Sequence, residues 1–456
     1  MRVSGFATIK FRVLARESAA MKRSAIDQRG AATLAVAMLL LFSSSIIAFY
    51  LNRGLIFEQK TSANQARSTA AFEAAEAGLE WATGLLNSPR DIQGDCSLLN
   101  TTNTSFRRKY VQTLWNHATT PTANVAVASP ILPIGCYIDT AGVQQCSCPN
   151  LTATSSTLLN PPTAQGARPA FTVSFAAVGG DPLSVQVTSV GCNAATGPCT
   201  AATAAASDAT ATVRATLKMR TVLRAAPAAA LTCGLQCDVS GGSFAVANFD
   251  ASVNGITINS GTNALGVVCT GNLNSRTVAT VTGLPCENSV VANDATLSTL
   301  ASADTNCTND TMFRAYFGST VAEFRRSPAT ITVNSESEFD SQYANGYRSF
   351  YFPNGADFNG NRPDIGTRND PVTFVVGGGG NFGLNAGVQF WGLVFALNAG
   401  AGATGTGSSQ IHGSVVTCNS FHANGNGVIT YDGLTLSNVQ LSTATMVRVP
   451  GSWRDF

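Results

Sequence analysis

Apolar residues run without a single charge from Ala31 to Asn52 (AATLAVAMLLLFSSSIIAFYLN). That is the length a helix needs to cross a bilayer at about 1.5 Å per residue. The stretch that follows, QKTSANQARSTAAFEAAEAGLEWATGLL, is rich in Ala, Glu, Gln and Leu and meets no proline before Pro89. These are good helix formers, so the pattern predicts one long helix over 31–86 whose first half, 31–52, is membrane-spanning. In its second half Ala71, Ala74, Ala75, Gly78, Leu79, Ala82, Leu85 and Leu86 recur at helical spacing and predict a buried face. Glu73, Glu76 and Glu80 mark the other face, expected to be solvated helix surface rather than a catalytic carboxylate row.

Residues 87–170 are loop-rich and hold four cysteines. From Phe171 the period changes to two: FTVSFAAV, SVQVTSVG and TATVRATLKMRTVL alternate apolar with polar residues and predict an antiparallel meander packed on the distal half of the helix. Residues 87–224 therefore read as one head domain, with a boundary in the Pro/Ala-rich run after Arg224. Beyond it the texture is Gly, Asn, Ser and Val. VQFWGLVFA (388–396) and SQIHGSVVT (409–417) superimpose at a spacing of about 21 residues, Gly392 over Gly413. Short strands repeating with glycines at the corners point to a β-solenoid over 225–456, a short parallel β-helix, with an ordinary β-sandwich as the alternative. Residues from about 285 to 370 read as a mostly helical insertion. The fold class expected is α+β: long helix, meander, then a β-rich C-terminal domain.

Composition changes the picture in two ways. Only 12% of the 456 residues are charged, which suits an exported β-rich surface protein better than a cytosolic enzyme. The net charge is +2, of which residues 1–30 contribute +5, seven Lys/Arg against Glu17 and Asp27. The remainder is near −3, and nothing points to nucleic-acid binding. All twelve cysteines follow the apolar span. Behind an export segment they predict disulfides in an oxidising compartment, with Cys192, Cys199, Cys233, Cys237, Cys269 and Cys286 as candidates and Cys192–Cys199 favoured. Zinc is the rival, but the chain has only His117, His412 and His422 and no repeated CxxC knuckle.

Candidate chemistry is sparse. There is no GxxxxGK, GxSxG, HExxH or helix-opening GxGxxG, so neither a catalytic site nor a cofactor is expected. Asp357, Asn359 and Asn361 begin like a calcium loop, but Arg362 and Arg368 stand where its glycine and glutamate belong. Residues 371–430 contain no Asp, Glu, Lys or Arg. A polysaccharide-active β-helix enzyme, the rival class, normally gathers carboxylates there. Phe390, Trp391, Asn398, Asn419, Phe421 and Asn424 are candidates for a glycan or receptor surface, or else residues that stack one rung on the next.

RGAATLAVAMLLLFSSSIIAFYLNRG followed by AFEAAEAGLEWA resembles the N-terminus of type IV pilins, specifically PilX-type minor pilins. The resemblance rests on Gly30 at a junction, the apolar span beginning at once, and the Ala-Ala-Glu-Ala-Gly-Leu run of 74–79. It implies a leader over 1–30 (Met21 being a second candidate start), cleaved by prepilin peptidase between Gly30 and Ala31, with Ala31 methylated. It implies an inner-membrane subunit with a cytoplasmic N-terminus and periplasmic head, which then joins the pilus at the cell surface with other major and minor pilins as partners. Major pilins carry glutamate at the fifth mature position; here that position is Ala35. In this family the lack implies a place near the filament tip, with a head free for adhesion or aggregation. A type II secretion pseudopilin is the closest alternative, and the role expected is assembly, not catalysis.

Overall fold

The computed structural model describes residues 27–99, 105–111, 133–148, 166–179, 181, 183–200, 209–240, 244–250, 255–267, 278–280, 289–303, 310–358, 362–377, 382–384, 387–397, 404–405 and 409–455. The chain divides into two compact units, residues 1–66 and 67–456. Helix α1, Asp27–Asn87, contributes residues to both. Its start lies four residues ahead of the predicted one, because Asp27 to Gly30 are helical as well.

In the first unit the described chain is helix alone. It includes a stretch long and apolar enough to cross a membrane.

The two largest sheets of the second unit are opposite in character. The first is antiparallel, in the spatial order Thr445–Arg448, Thr210–Arg220, Ser184–Ala195, Arg168–Ala177, Ile134–Ile138 and Gln144–Ser147. The predicted alternation is what builds it. Val213, Ala215, Leu217 and Met219 are buried on one face with Val185, Val187, Phe171, Val173 and Phe175, and the α1 residues Ala75, Leu79, Ala82 and Leu86 close that core.

The second sheet is parallel throughout. From Thr330–Thr332 it runs through Ser349–Phe352, Val372–Val376, Gln389–Ala396 and Gln410–Thr417 to Val428–Tyr431, Ala245–Asn248 and Val278–Thr280. Like residues stack in register: Phe350 on Phe374, Val394 on Val415, and Phe390 on Ile411 on Ile429 on Val246. Gly392 lies opposite Gly413, and the space demands it, since a Cβ on Gly413 would fall 1.9 Å from the Gly392 carbonyl oxygen. Phe374 is the centre of the apolar core, ringed by Phe339, Phe350, Phe352, Phe358, Phe382 and Phe390. Truncating a buried Phe of this kind to Ala costs about 3–5 kcal/mol.

Three features depart from the sequence reading. First, the C-terminal segment does not stay with the parallel sheet. Thr445–Arg448 and Arg454–Asp455 pair antiparallel with Thr210–Arg220, so the segment read as the end of the solenoid completes the head sheet. Strands of four and two residues carry too little periodicity to announce themselves. Second, the stretch from 285 to 370 is not wholly an insertion, because Thr330–Thr332 and Ser349–Phe352 extend the parallel sheet. Its helical part comprises Ala295–Ala303, Thr311–Phe317, Val321–Arg326 and Glu336–Ala344.

Third, the parallel stack is not wound in sequence order. Gln410–Thr417 pairs through its first half with Val428–Tyr431 and through its second half with Leu231–Cys233. One level of the stack is thus made from the segment where the chain arrives and the segment where it leaves. Tyr431 Oη donates to the Pro227 carbonyl at 2.9 Å, and Ser414 Oγ to that of Ala229 at 2.8 Å, tying the two together. Since Arg220 is opposite Thr445, the whole stack is spliced between two neighbouring strands of the antiparallel sheet.

Candidate assembly helix

In the first unit, every large apolar side chain of α1 from Leu34 to Phe57 that the structure describes is exposed, 42% at Ile46 and 72% at Phe57. Fully burying one such side chain contributes about 1.5–3 kcal/mol, so covering the stretch is worth on the order of 20–45 kcal/mol. A helix of this composition is not stable against water and must be covered by lipid or by other helices. Its hydroxyls are already satisfied within the helix: Ser43 and Ser44 Oγ each donate at 3.0 Å to the carbonyls of Leu40 and Leu41, and Thr61 Oγ1 to that of Phe57 at 2.9 Å. Such back-bonding removes the main cost of placing these residues in hydrocarbon. Ala35 sits beside Met38, Leu39 and Phe42 on a surface with no ionisable group. Gly30 and Ala31 lie in the first turns of the helix.

In the second unit, α1 from Arg67 onward is seated on the antiparallel sheet by close backbone approach. A Cβ on Gly191 would fall 2.2 Å from the Ala75 nitrogen and 2.3 Å from the Ala71 carbonyl oxygen. One on Gly78 would fall 2.7 Å from the Phe171 ring. The glutamate face is less free than the sequence suggested. Glu76 accepts from Trp453 Nε1 at 2.6 Å and Glu80 pairs with Arg448 at 2.5 Å, while Glu73 is exposed. Phe72 meets the Trp453 ring edge-on. At the end of the helix the Asn87 amide makes two bonds to Met446, donating to its carbonyl at 2.9 Å and accepting from its N–H at 2.7 Å. Asn87 therefore occupies the outward-facing backbone of an edge strand, which would otherwise be open to pairing. Arg107, itself buried, donates to the carbonyls of Leu441, Ser442 and Ala444, where a guanidinium offsets the negative end of helix Gly433–Ser442. None of Asn87, Arg107, Arg448 and Trp453 carries a sequence signal of its own; each acts on backbone or side chains hundreds of residues away.

Residues 29–80 match the PilX N-terminal family model. Over these residues the helix is similar to a PilX-type pilin N-terminus. No curated protein matches the chain. Among solved structures, the competence-associated pilin ComZ from Thermus thermophilus is similar at 12% identity, over 86% of this chain and 97% of that one, with a TM-score of 0.22. A score that low carries no argument about the fold. The PilX-type match covers the apolar span and the first part of the face that seats the head sheet, and it ends before Asn87.

The other candidates from the sequence fall in different places. Cys192–Cys199 and Cys233–Cys237 are disulfides, as are Cys96–Cys148 and Cys136–Cys146; Cys418 is also disulfide-bonded. Cys269 and Cys286 lie outside the described residues, as do Asn359, Asn361 and Asn398. Phe390 and Phe421 are buried and unavailable to a ligand. Trp391 stacks on His412 with ring centres 3.9 Å apart, one level of the sheet on the next. Arg362 and Arg368 pair with Asp340 and Asp432, contacts that serve the fold rather than an ion. Asn419 is half-buried and uses its carbonyls locally, accepting from Ser420 N and Thr417 Oγ1. Among the described residues no group of His, Cys, Asp or Glu could hold a metal.

Proposed function

We propose that this chain is a minor pilin of a type IV pilus. The observation that carries the reading is the coincidence of the PilX-type match at 29–80 with an apolar span that begins immediately after Gly30 and has its large side chains exposed. The leader is removed between Gly30 and Ala31 by prepilin peptidase, and the new amino terminus is methylated. The span first holds the subunit in the inner membrane, head in the periplasm, and then packs among the helices of neighbouring pilins. The work done is assembly: exposed apolar surface is exchanged between lipid and protein, with no bond chemistry.

Position 35 sets where the subunit sits. A carboxylate in an apolar helix is costly unless paired, and Ala35 removes the need for a subunit above to supply an amine. Ala35 thus supports a place at or near the tip, where a large head is available for adhesion or aggregation. The head is read as two domains, a pilin-type antiparallel sheet on the helix and a short parallel β-helix. The uninterrupted parallel pairing, the stacking of like residues and the Gly392–Gly413 alignment support the second of these. The absence of charge over 371–430 argues against a polysaccharide-active enzyme.

The test is mass spectrometry of the mature N-terminus from sheared pili, where methylated Ala31 is expected. Replacing Gly30 by a bulky residue should leave an unprocessed, membrane-bound precursor. Normal maturation of that variant would overturn the processing step. Loss of exoprotein secretion with pili intact would instead favour the type II secretion alternative.

A further inference from the structure

The strand Thr210–Arg220 buries its odd-numbered residues against α1 and turns Arg214, Lys218 and Arg220 to the opposite face of the antiparallel sheet. Arg454, opposite Arg214, joins them there. Two of these cations are engaged: Lys218 pairs with Asp181 at 2.7 Å, and Arg214 Nε donates to Thr188 Oγ1 at 3.2 Å. Arg220 is different. It is exposed and makes no salt bridge among the described residues, and the same holds for Arg326 at the end of helix Val321–Arg326.

These two guanidiniums line one groove, about 310 Å³, between the sheet edge and the helical part of the stack. Its apolar lining includes Val222, Phe317, Pro328 and Val447, of which Val447 is 41% exposed. The one carboxylate in the lining, Glu323, is held mainly by its own helix start, with the charges of Arg314 and Arg220 adding a smaller attraction. It accepts from Thr320 N at 2.8 Å and Thr320 Oγ1 at 3.0 Å as a capping box, and the backbone bond first, then the hydroxyl, hold it below the usual carboxylate range. Two guanidiniums with no salt bridge among the described residues, over an apolar floor, are complementary to carboxylates spaced by apolar side chains.

We propose that this groove docks an acidic, partly apolar peptide segment of a partner protein. A peptide fits better than a nucleic acid. A polyanion is held by a track of cations along its backbone, whereas this groove offers two cations, one carboxylate and an apolar floor. The inference does not depend on how the N-terminal helix assembles.

The experiment uses the full-length protein in detergent and a fluorescein-labelled peptide alternating Glu with Leu, read by fluorescence anisotropy. The Glu/Leu peptide should bind. Its Gln/Leu counterpart should bind at least about tenfold more weakly, the loss of one charge-assisted contact or more. Arg220→Gln with Arg326→Gln should cause a comparable loss, and an unchanged melting curve is expected because both side chains are exposed. Val447→Glu should independently expel the acidic peptide. No binding of the Glu/Leu peptide, equal binding of the Gln/Leu peptide, or full binding by both variants would each overturn the proposal. So would an oligothymidylate of equal charge binding more tightly than the peptide.

Discussion

Gly191 is where the head sheet comes nearest the α1 backbone, and its replacement by Ala tests the seating directly. A Cβ there would meet Ala75 N at 2.2 Å, Ala71 O at 2.3 Å and Ala75 Cα at 2.8 Å. Ordinary non-bonded contact begins near 3.5 Å, so helix and sheet must separate by about 1 Å locally. The colliding atoms are helix backbone, which has no rotamer to give way. Overpacking of this kind costs about 1–3 kcal/mol, and a rigid neighbour puts Gly191→Ala at the upper end. Gly78→Ala should cost less, because the atoms it meets, Ser189 Oγ and the Phe171 ring, belong to side chains that can turn. Gly84 supplies the opposite sign: it is exposed, helical and has nothing within 4 Å of a built Cβ. Gly84→Ala should therefore stabilise by about 0.5–1 kcal/mol through helix propensity alone. The assay is thermal unfolding of the full chain in detergent followed by near-ultraviolet circular dichroism, where about 2–4 °C per kcal/mol is expected for a large domain. The expected order of melting temperature, highest first, is Gly84→Ala, wild type, Gly78→Ala, Gly191→Ala. A Gly191→Ala protein that melts with wild type, or above the Gly78→Ala protein, would refute the close seating of helix on sheet.

Two further perturbations address the C-terminal segment and the closure of the stack. Asn87→Ala removes both bonds to Met446 and should destabilise by about 1–3 kcal/mol, with faster hydrogen exchange at the Met446 amide; unchanged exchange there would show that the edge strand does not depend on Asn87. Burial first, then the nearby charges of Asp250 and Asp432, push the Tyr431 hydroxyl well above its ordinary value of 10.0. The unfolded chain ionises this tyrosine first, so its contribution is intact below about pH 10 and declines as pH rises beyond it. Tyr431→Phe should lower stability at neutral pH by about 1 kcal/mol through loss of the bond to Pro227, and should flatten the alkaline fall in stability above pH 10; an alkaline limb identical to wild type would refute this.

What was legible in the sequence follows the length of each periodic run. The apolar span, the face from Ala71 to Leu86 and the three long strands from Arg168 to Arg220 are each marked by many residues in phase, and they sit where the pattern puts them. The 21-residue repeat was legible for the same reason, with Gly392 opposite Gly413. Arg107, Asn87, Trp453 and Arg448 were not legible, because each recognises a carbonyl, an amide or a carboxylate far away in sequence, and no local pattern encodes that partner. The glutamates show the limit most plainly. Spacing puts Glu73, Glu76 and Glu80 on a polar face, but only the fold reveals that the last two hold the C-terminal segment.

The return of that segment also explains how so large a stack can be carried on the antiparallel head sheet. Arg220 and Thr445 are opposite each other on adjacent antiparallel strands, so the intervening chain must leave and come back at one point of the sheet. A stack wound in simple sequence order would end one full stack height from where it began and would need a long return segment. Here the chain winds outward from Leu231–Cys233 to Val290–Val291 and passes through the helices between 295 and 344, while strands from Thr330–Thr332 onward wind back until Val428–Tyr431 lies on the same level as the first strand. The long crossing is thus placed inside the stack, where its helices can cover apolar surface: Phe313 and Phe317 pack on Phe395, and Phe339 on Phe374. The connection to the head is left short, closed by Tyr431 on Pro227 and by Ser414 on Ala229. By this geometry a change in the size of the stack, by whole levels, leaves the Arg220–Thr445 junction untouched. The pairing that joins the stack to the head sheet is therefore independent of the number of levels in the stack.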